Sequence, residues 1–330
     1  MRPALLHLLG LLTACSPSGS ESLPPKDRIV VLISLSGFPA QALRDPAVQA
    51  PTLRRLASEG ASASRMTGVD PAVSWPNHAA LATGAGSRRH GVLYNGLLVR
   101  DGPRAGVRVR PCPRRELLRA RTFYDLAHDA GLTTAQVGWV PGEADGTITW
   151  GFGETPDPKG PIEREMSQAG VLSEADLEEV GRTTSPRRDE VWSRVAIHVI
   201  ARHRPGVLLV RLTDLDAIAH KFGPGAPESL RAISAADARV AGILEALSQA
   251  GLMNRLTLFV VSDQGFKTAR RHIRPNAALR AAGLLVVEGP KLAPKVTSAD
   301  AQAVTGGGTA MVFITNPDRR DALVPRVKEV

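Results

Sequence analysis

Cysteine and aromatic residues are scarce: 330 residues hold only Cys15 and Cys112, and rings make up 4% of the chain. Two thiols exclude a multiply stapled disulfide scaffold. So few rings leave Leu, Val and Ala to build the core. Ala4 to Leu12 is apolar but far below the ~20 residues a membrane span needs. The formal charge of +9 comes without a nucleic-acid motif or aromatics interleaved with the basic residues. Nucleic acid is therefore not expected as a specific partner, and scattered pairs such as Arg114-Arg115, Arg187-Arg188 and Arg270-Arg271 read as solvated surface. With 43% hydrophobic and 22% charged residues, the chain is expected to fold as one large or two modest domains.

The first residues read as an address. Met1-Arg2 is a short positive region, and Leu12-Thr13-Ala14-Cys15 after the apolar run resembles a bacterial lipobox. This predicts a signal peptide over 1–14, a lipid anchor on Cys15 and a flexible tether over 15–27, beginning Ser16-Pro17-Ser18-Gly19-Ser20. With Cys15 acylated, Cys112 has no intrachain partner. Ser16 after the cysteine favours the outer membrane, facing the periplasm of a Gram-negative envelope. A cytosolic chain with a chance apolar start is the competing reading.

Beyond the tether, Arg28–Leu35, Val207–Leu212, Leu256–Val261 and Met311–Ile314 are apolar runs of strand length, the pattern of strands buried on both faces. Helical patterns lie between them at Thr52–Glu59, Leu117–Ala130, Asp189–His203, Glu228–Ala250 and Asn276–Ala282, and several end at glycine. The alternation predicts an α/β domain over 28–330 with a mostly parallel central sheet. Segment 142–188 breaks the rhythm and is expected as a small lid insertion. In such sheets the functional residues gather after the carboxyl ends of strands. That rule selects Ser34–Phe38, Thr213–His220 and Ser262–Phe266.

Four groups of residues carry candidate chemistry. Ser74, in Ala72-Val73-Ser74-Trp75-Pro76-Asn77-His78, stands at the expected N-cap of a helix, where free N–H groups and the helix dipole favour an anion. It reads either as an ordinary cap or as a nucleophile. Asp216 and His220 are four apart and share a helical face, so both can reach one cation or form a surface pair. Asp263 ends a strand on the same rim, as a metal ligand or a turn cap. Asn95, followed by Gly96, is a turn residue or an amide donor to a developing oxyanion.

Taken in order, these residues resemble the type I phosphodiesterase/nucleotide pyrophosphatase family of the alkaline phosphatase superfamily. The resemblance runs from about Arg28 to the C-terminus. It rests on Val31–Phe38, Ala50–Leu56, Ser74–His78 with Thr83-Gly84, His90-Gly91 with Asn95, Asp216–Pro224 and Ser262–Gly265. It implies an alkaline-phosphatase-like sandwich with helices on both sheet faces. It also implies hydrolysis of a phosphodiester or nucleotide-like small molecule through a covalent phospho-enzyme and one or two zinc ions. Ser74 would be the nucleophile, and Asn95 with the Trp75 amide would hold a phosphoryl oxygen. Asp216 and His220 would bind one zinc and Asp263 the other, while His78 would brace the nucleophile helix.

Three departures accompany the match. Ser36 stands where the family has an Asp ligand, and Gln264 where it has a His. No histidine follows His272, so the last ligand lacks a counterpart, and the C-terminal part of the fold is expected to be missing. Ser36 and Gln264 would be weak ligands at best. The alternative is therefore a catalytically impaired or truncated lipid-anchored member that binds a phosphorylated ligand without turnover. A sulfatase would need a Cys/Ser-x-Pro-x-Arg nucleophile segment, which is absent here. A purely structural lipoprotein would leave the ordered acids and histidine unexplained.

Overall fold

Seven residues rich in Ile, Val and Leu form β1 (Ile29–Leu35), the second strand from one edge of a five-stranded, wholly parallel sheet. Two short strands, β2 (Leu97–Val99) and β3 (Arg108–Arg110), pair outside it as an antiparallel ribbon. The sheet is completed by β4 (Thr134–Val137), β5 (Trp150–Phe152), β6 (Val207–Leu212) and β7 (Leu256–Val261), in the order β5-β4-β6-β1-β7. This computed structural model describes residues 27–142, 146–181, 187–290, 292 and 294–330. The expected signal peptide, Cys15 and nearly all of the tether lie outside the described residues. Among those described, no helix is long and apolar enough to cross a membrane.

The alternation of side chains along β1 builds three layers. Ile29, Val31, Ile33 and Leu35 share a core with Leu208, Val210 and Leu212 and with helices Pro51–Glu59, Arg188–His203 and Pro227–Gln249. Leu32, Val207 and Leu209 face the other way, towards Ala82 and Tyr124 on helices Ser74–Thr83 and Phe123–Asp129. Asp237 fastens one side of this sandwich: its carboxylate accepts the Thr52 and Leu53 N–H groups at 3.2 and 2.8 Å, capping a helix whose own N-cap, Ala50, has no acceptor.

Several elements differ from the sequence expectation. Met311–Ile314 does not join the sheet. It belongs to β11 (Thr309–Ile314), paired antiparallel with β10 (Ala301–Gly306). Beside them, β8 (Leu285–Glu288) pairs with β9 (Lys295–Ala299), and with helices Pro275–Ala281 and Arg320–Lys328 they enclose a separate small core of Leu279, Leu285, Ala301 and Leu323. The run Leu117–Ala130 splits into helices Arg114–Leu117 and Phe123–Asp129, because the Thr122–Asp125 capping box starts a new helix. Segment 142–188 supplies edge strand β5 and helices Pro161–Gln168 and Glu174–Gly181, whose Ile162, Met166, Leu177 and Val180 enter the main core.

Candidate active site

The rim lies where β1, β6 and β7 end. Ser34 and Val261 form the last pair of β1 and β7, with Ser36 and Asp263 each two residues beyond it, and the helix bearing Asp216 starts directly after β6. The turn after β1 depends on Gly37, whose φ of +81° suits glycine. A Cβ there would come within 2.7 Å of the Phe266 ring and 3.3 Å of the Asp216 Cα, so three loops converge at one point.

Ser74 is the first residue of its helix and Val73 is the N-cap, one position earlier than expected. Val73 makes no side-chain cap bond, and the acceptor for the first turn comes from outside the helix, so the Ser74 hydroxyl is not spent as a cap. Two bonds fix the turn instead. The Trp75 N–H donates to Asn95 Oδ1 at 2.9 Å, and the Ser74 carbonyl accepts from His78 Nδ1 at 2.8 Å. Asn95 thus orients the turn through its oxygen and leaves its amide nitrogen for a ligand. The Trp75 amide is occupied by Asn95, so it is not a free phosphoryl-oxygen donor as expected. The β10–β11 turn packs against Tyr94 and against Ala72 and Val73, which precede Ser74 in the chain. A Cβ at Gly306 would lie 2.7 Å from Val73 Cγ1, and the Tyr94 hydroxyl donates to the Thr305 carbonyl at 2.8 Å.

His78 is buried beneath the turn. Because its Nδ1–H is given to a carbonyl, its Nε2 accepts from the Ser34 hydroxyl at 2.9 Å. Burial holds its pKa down to about 4, against the attraction of Asp263, so the ring is neutral at pH 7. This neutrality predicts a pH dependence. The unfolded imidazole binds its proton near pH 6.5 and the folded one near pH 4, so stability is lost as pH falls across that window. The full loss is on the order of 3 kcal/mol. Urea titrations at pH 7.5 and 4.5 should show a steeper fall for the wild type than for His78→Asn, which keeps a donor near Nδ1. Equal falls would assign the imidazole an ordinary titration.

Asp263 lies 3.6 Å from His78 Nδ1 and is 2% exposed, yet neither carboxylate oxygen has a hydrogen-bond partner. Ser36 Oγ is likewise buried and unpartnered. Unpaired buried polar groups are costly, and an anion especially calls for a cation. Asp216 is held above the usual carboxylate range by burial, with His220 opposing and Asp263 reinforcing the shift. Gln264 Nε2 donates to Asp216 Oδ1. His220 lies 3.6 Å from that same oxygen, with its side chain 65% exposed and its ring edge-on to Phe266.

Two zinc ions do not fit these donors. The rim offers two carboxylates and one exposed imidazole, and one carboxylate oxygen already accepts from Gln264. Among the described residues, the three metal-ligating side chains that converge within 4.8 Å are Glu165, His198 and His203, not rim residues. The oxygens that remain without a partner at the rim are those of Asp263 and Ser36.

Two contributors were not selected from the sequence. Arg211, buried near the end of β6, donates to Glu154 Oε1 at 2.7 Å and adds positive charge beside His78. An arginine inside the apolar run Val207–Leu212 was the available signal. Asp189 accepts the Thr213 and Asp214 N–H groups at 2.7 and 3.0 Å and so sets where the Asp216 helix begins. It sits in a helix 27 residues upstream of Asp216 (216 − 189), with no local pattern to mark it.

The family profile described as type I phosphodiesterase / nucleotide pyrophosphatase matches residues 30–327. Venom phosphodiesterase CdcPDE of Crotalus durissus collilineatus is 23% identical over 258 residues, covering 77% of this chain and 28% of the venom protein. Ectonucleotide pyrophosphatase/phosphodiesterase family member 1 of Homo sapiens is 24% identical over 266 residues, 80% of this chain and 26% of its own. The chain thus spans little more than a quarter of these relatives. Among solved structures, an inactive murine ectonucleotide pyrophosphatase / phosphodiesterase 5 in complex with AMP superposes with TM-score 0.62 at 16% identity, over 90% of this chain and 69% of that one. Phosphonoacetate hydrolase from Sinorhizobium meliloti 1021, in complex with phosphonoacetate, gives TM-score 0.64 at 19% identity, over 93% and 74%. The fold is the alkaline-phosphatase-like sandwich, and the chain belongs to the type I phosphodiesterase/nucleotide pyrophosphatase family.

Proposed function

We propose that this chain hydrolyses phosphodiester or nucleotide-pyrophosphate bonds, with Ser74 as the nucleophile and one divalent cation at Asp263. The observation that carries the reading is the pairing of a serine at a helix start with a buried, unpartnered carboxylate at the same imidazole nitrogen: His78 Nδ1 lies 2.8 Å from the Ser74 carbonyl and 3.6 Å from Asp263 Oδ2. AMP and phosphonoacetate in the related structures suggest a small phosphorylated or phosphonate ligand.

Each residue has a separate task. The Ser74 oxygen forms a bond to phosphorus as the bond to the leaving oxygen breaks, and the serine proton is released. The leaving group departs as an alcohol or phosphate, and water then cleaves the phosphoserine ester to regenerate the hydroxyl. The Asn95 amide nitrogen would face the developing charge on a non-bridging oxygen, since the Trp75 N–H is given to Asn95, Pro76 has none and the Asn77 N–H goes to the Val73 carbonyl. His78, neutral and locked at both nitrogens, holds the turn rather than moving a proton. Asp263 and Ser36 would hold the cation, with Asp216 and His220 at its edge. When bound, that cation would lower the pKa of the serine hydroxyl and offset phosphate charge.

A second reading, ligand binding without turnover, is favoured by the Gln264–Asp216 hydrogen bond, which occupies an oxygen that a metal would use. Bis-p-nitrophenyl phosphate separates the two. The purified chain with zinc should release nitrophenol, and dialysis against a chelator should remove the activity reversibly. Binding of AMP with no nitrophenol release would instead support the second reading.

A further inference from the structure

A second constellation lies at the opposite end of the sheet. Glu165, on helix Pro161–Gln168, points its carboxylate between two imidazoles of helix Arg188–His203. His198 Nε2 is 2.7 Å from Glu165 Oε1, and His203 Nε2 is 3.1 and 2.9 Å from the two oxygens. Five residues apart, these histidines would not share a face in mid-helix. They meet because His203 is the last helical residue and its ring stacks on Trp150, with centroids 3.8 Å apart. Trp150 opens β5 and His203 precedes β6, so the cluster sits at the amino ends of the strands. The Ser74 rim lies beyond their carboxyl ends.

We propose that Glu165, His198 and His203 form a zinc site, separate from the rim, that ties segment 142–188 to the main helical layer. The donor set is two imidazole nitrogens and one carboxylate, a known zinc combination with a fourth position left for water. The three ligand atoms lie within 4.8 Å of one another. Tetrahedral bonds of about 2.0–2.1 Å put donors roughly 3.3 Å apart, so the Glu165–histidine distances of 2.7–3.1 Å need to change by only a few tenths of an ångström, while the two imidazole nitrogens close from a separation of at most 4.8 Å. The imidazoles are largely buried while Glu165 is 30% exposed, which leaves solvent a route to the fourth position. Burial opposes ionisation of Glu165, but hydrogen bonds from both histidines outweigh it and hold the carboxyl below its ordinary range. The ligand is therefore already an anion at neutral pH.

The test uses the full chain with the rim disabled by Asp216→Asn and Asp263→Asn, so that its outcome does not depend on the proposed hydrolysis. After chelator treatment and zinc addition, this variant should retain one equivalent of zinc and melt at a higher temperature than its metal-free form. Cobalt should give the visible bands of a tetrahedral centre. Adding Glu165→Gln, which keeps the side-chain shape and an acceptor, should weaken zinc binding at least about tenfold and remove the cobalt bands. His198→Ala should do the same. The proposal is overturned if the rim-disabled chain takes up no zinc, or if Glu165→Gln, folded cooperatively, binds as much as its parent.

Discussion

Replacing Ser74 with alanine is expected to reduce bis-p-nitrophenyl phosphate hydrolysis on the order of 10³-fold or more, while leaving stability within about 0.5 kcal/mol. The separation of the two effects comes from the local structure. Both bonds that hold the turn use backbone atoms of residues 74 and 75, so neither needs the hydroxyl. The Ser74 side chain caps nothing, and alanine is the better helix former. What disappears is the oxygen that bonds to phosphorus. A steady-state assay beside a urea titration of the same preparation checks both halves. A Ser74→Ala protein that is unstable as well as inactive would make the hydroxyl structural.

Restoring charge at the rim should have the second large effect. Ser36→Asp with Gln264→His is expected to raise zinc affinity at the rim by about 100-fold or more, read by competition with a chelator in a Glu165→Gln background. Ser36 is 1% exposed and its oxygen has no partner, nor do the oxygens of Asp263, and both residues lie two positions beyond the last β1–β7 pair, Ser34–Val261. Without metal, carboxylates at positions 36 and 263 repel, and the double variant should be less stable than its parent. Zinc should more than reverse that loss. Replacing Gln264 also releases the Asp216 oxygen that its amide occupies. Unchanged affinity would mean that Ser36 and Gln264 do not stand at ligand positions.

Continuous apolar runs marked β1, β6 and β7 in the sequence; β1 and β6 are buried almost throughout, whereas β7, expected to be buried on both faces, is an edge strand and only half-buried. Strands β4 and β5 escaped notice because Thr134–Val137 and Trp150–Phe152 are four and three residues long, too short for a period to emerge. Met311–Ile314 misled for the opposite reason: its apolar composition suits a sheet interior, but its burial alternates because only one face of the β10–β11 ribbon is covered. The strand-end positions of Ser36, Asp216 and Asp263 could be expected from the apolar runs that precede them. Asp189, Arg211 and the orphaned state of Asp263 could not, because each depends on which distant segment folds against it. The role of Asn95 changed in the same way. Its oxygen meets the Trp75 amide only once the 90–96 loop is anchored, with Val92 N–H donating to His90 Nδ1 at 3.1 Å.

The identity of the attacking atom is tested most directly by trapping. The zinc-loaded chain is mixed with bis-p-nitrophenyl phosphate, quenched in acid and digested, and the peptide containing Ser74 is examined by mass spectrometry. The account predicts a p-nitrophenyl phosphoryl ester on Ser74 that is absent from the Ser74→Ala protein. Release of nitrophenol at the wild-type rate by Ser74→Ala, with no adduct on that peptide, would contradict it.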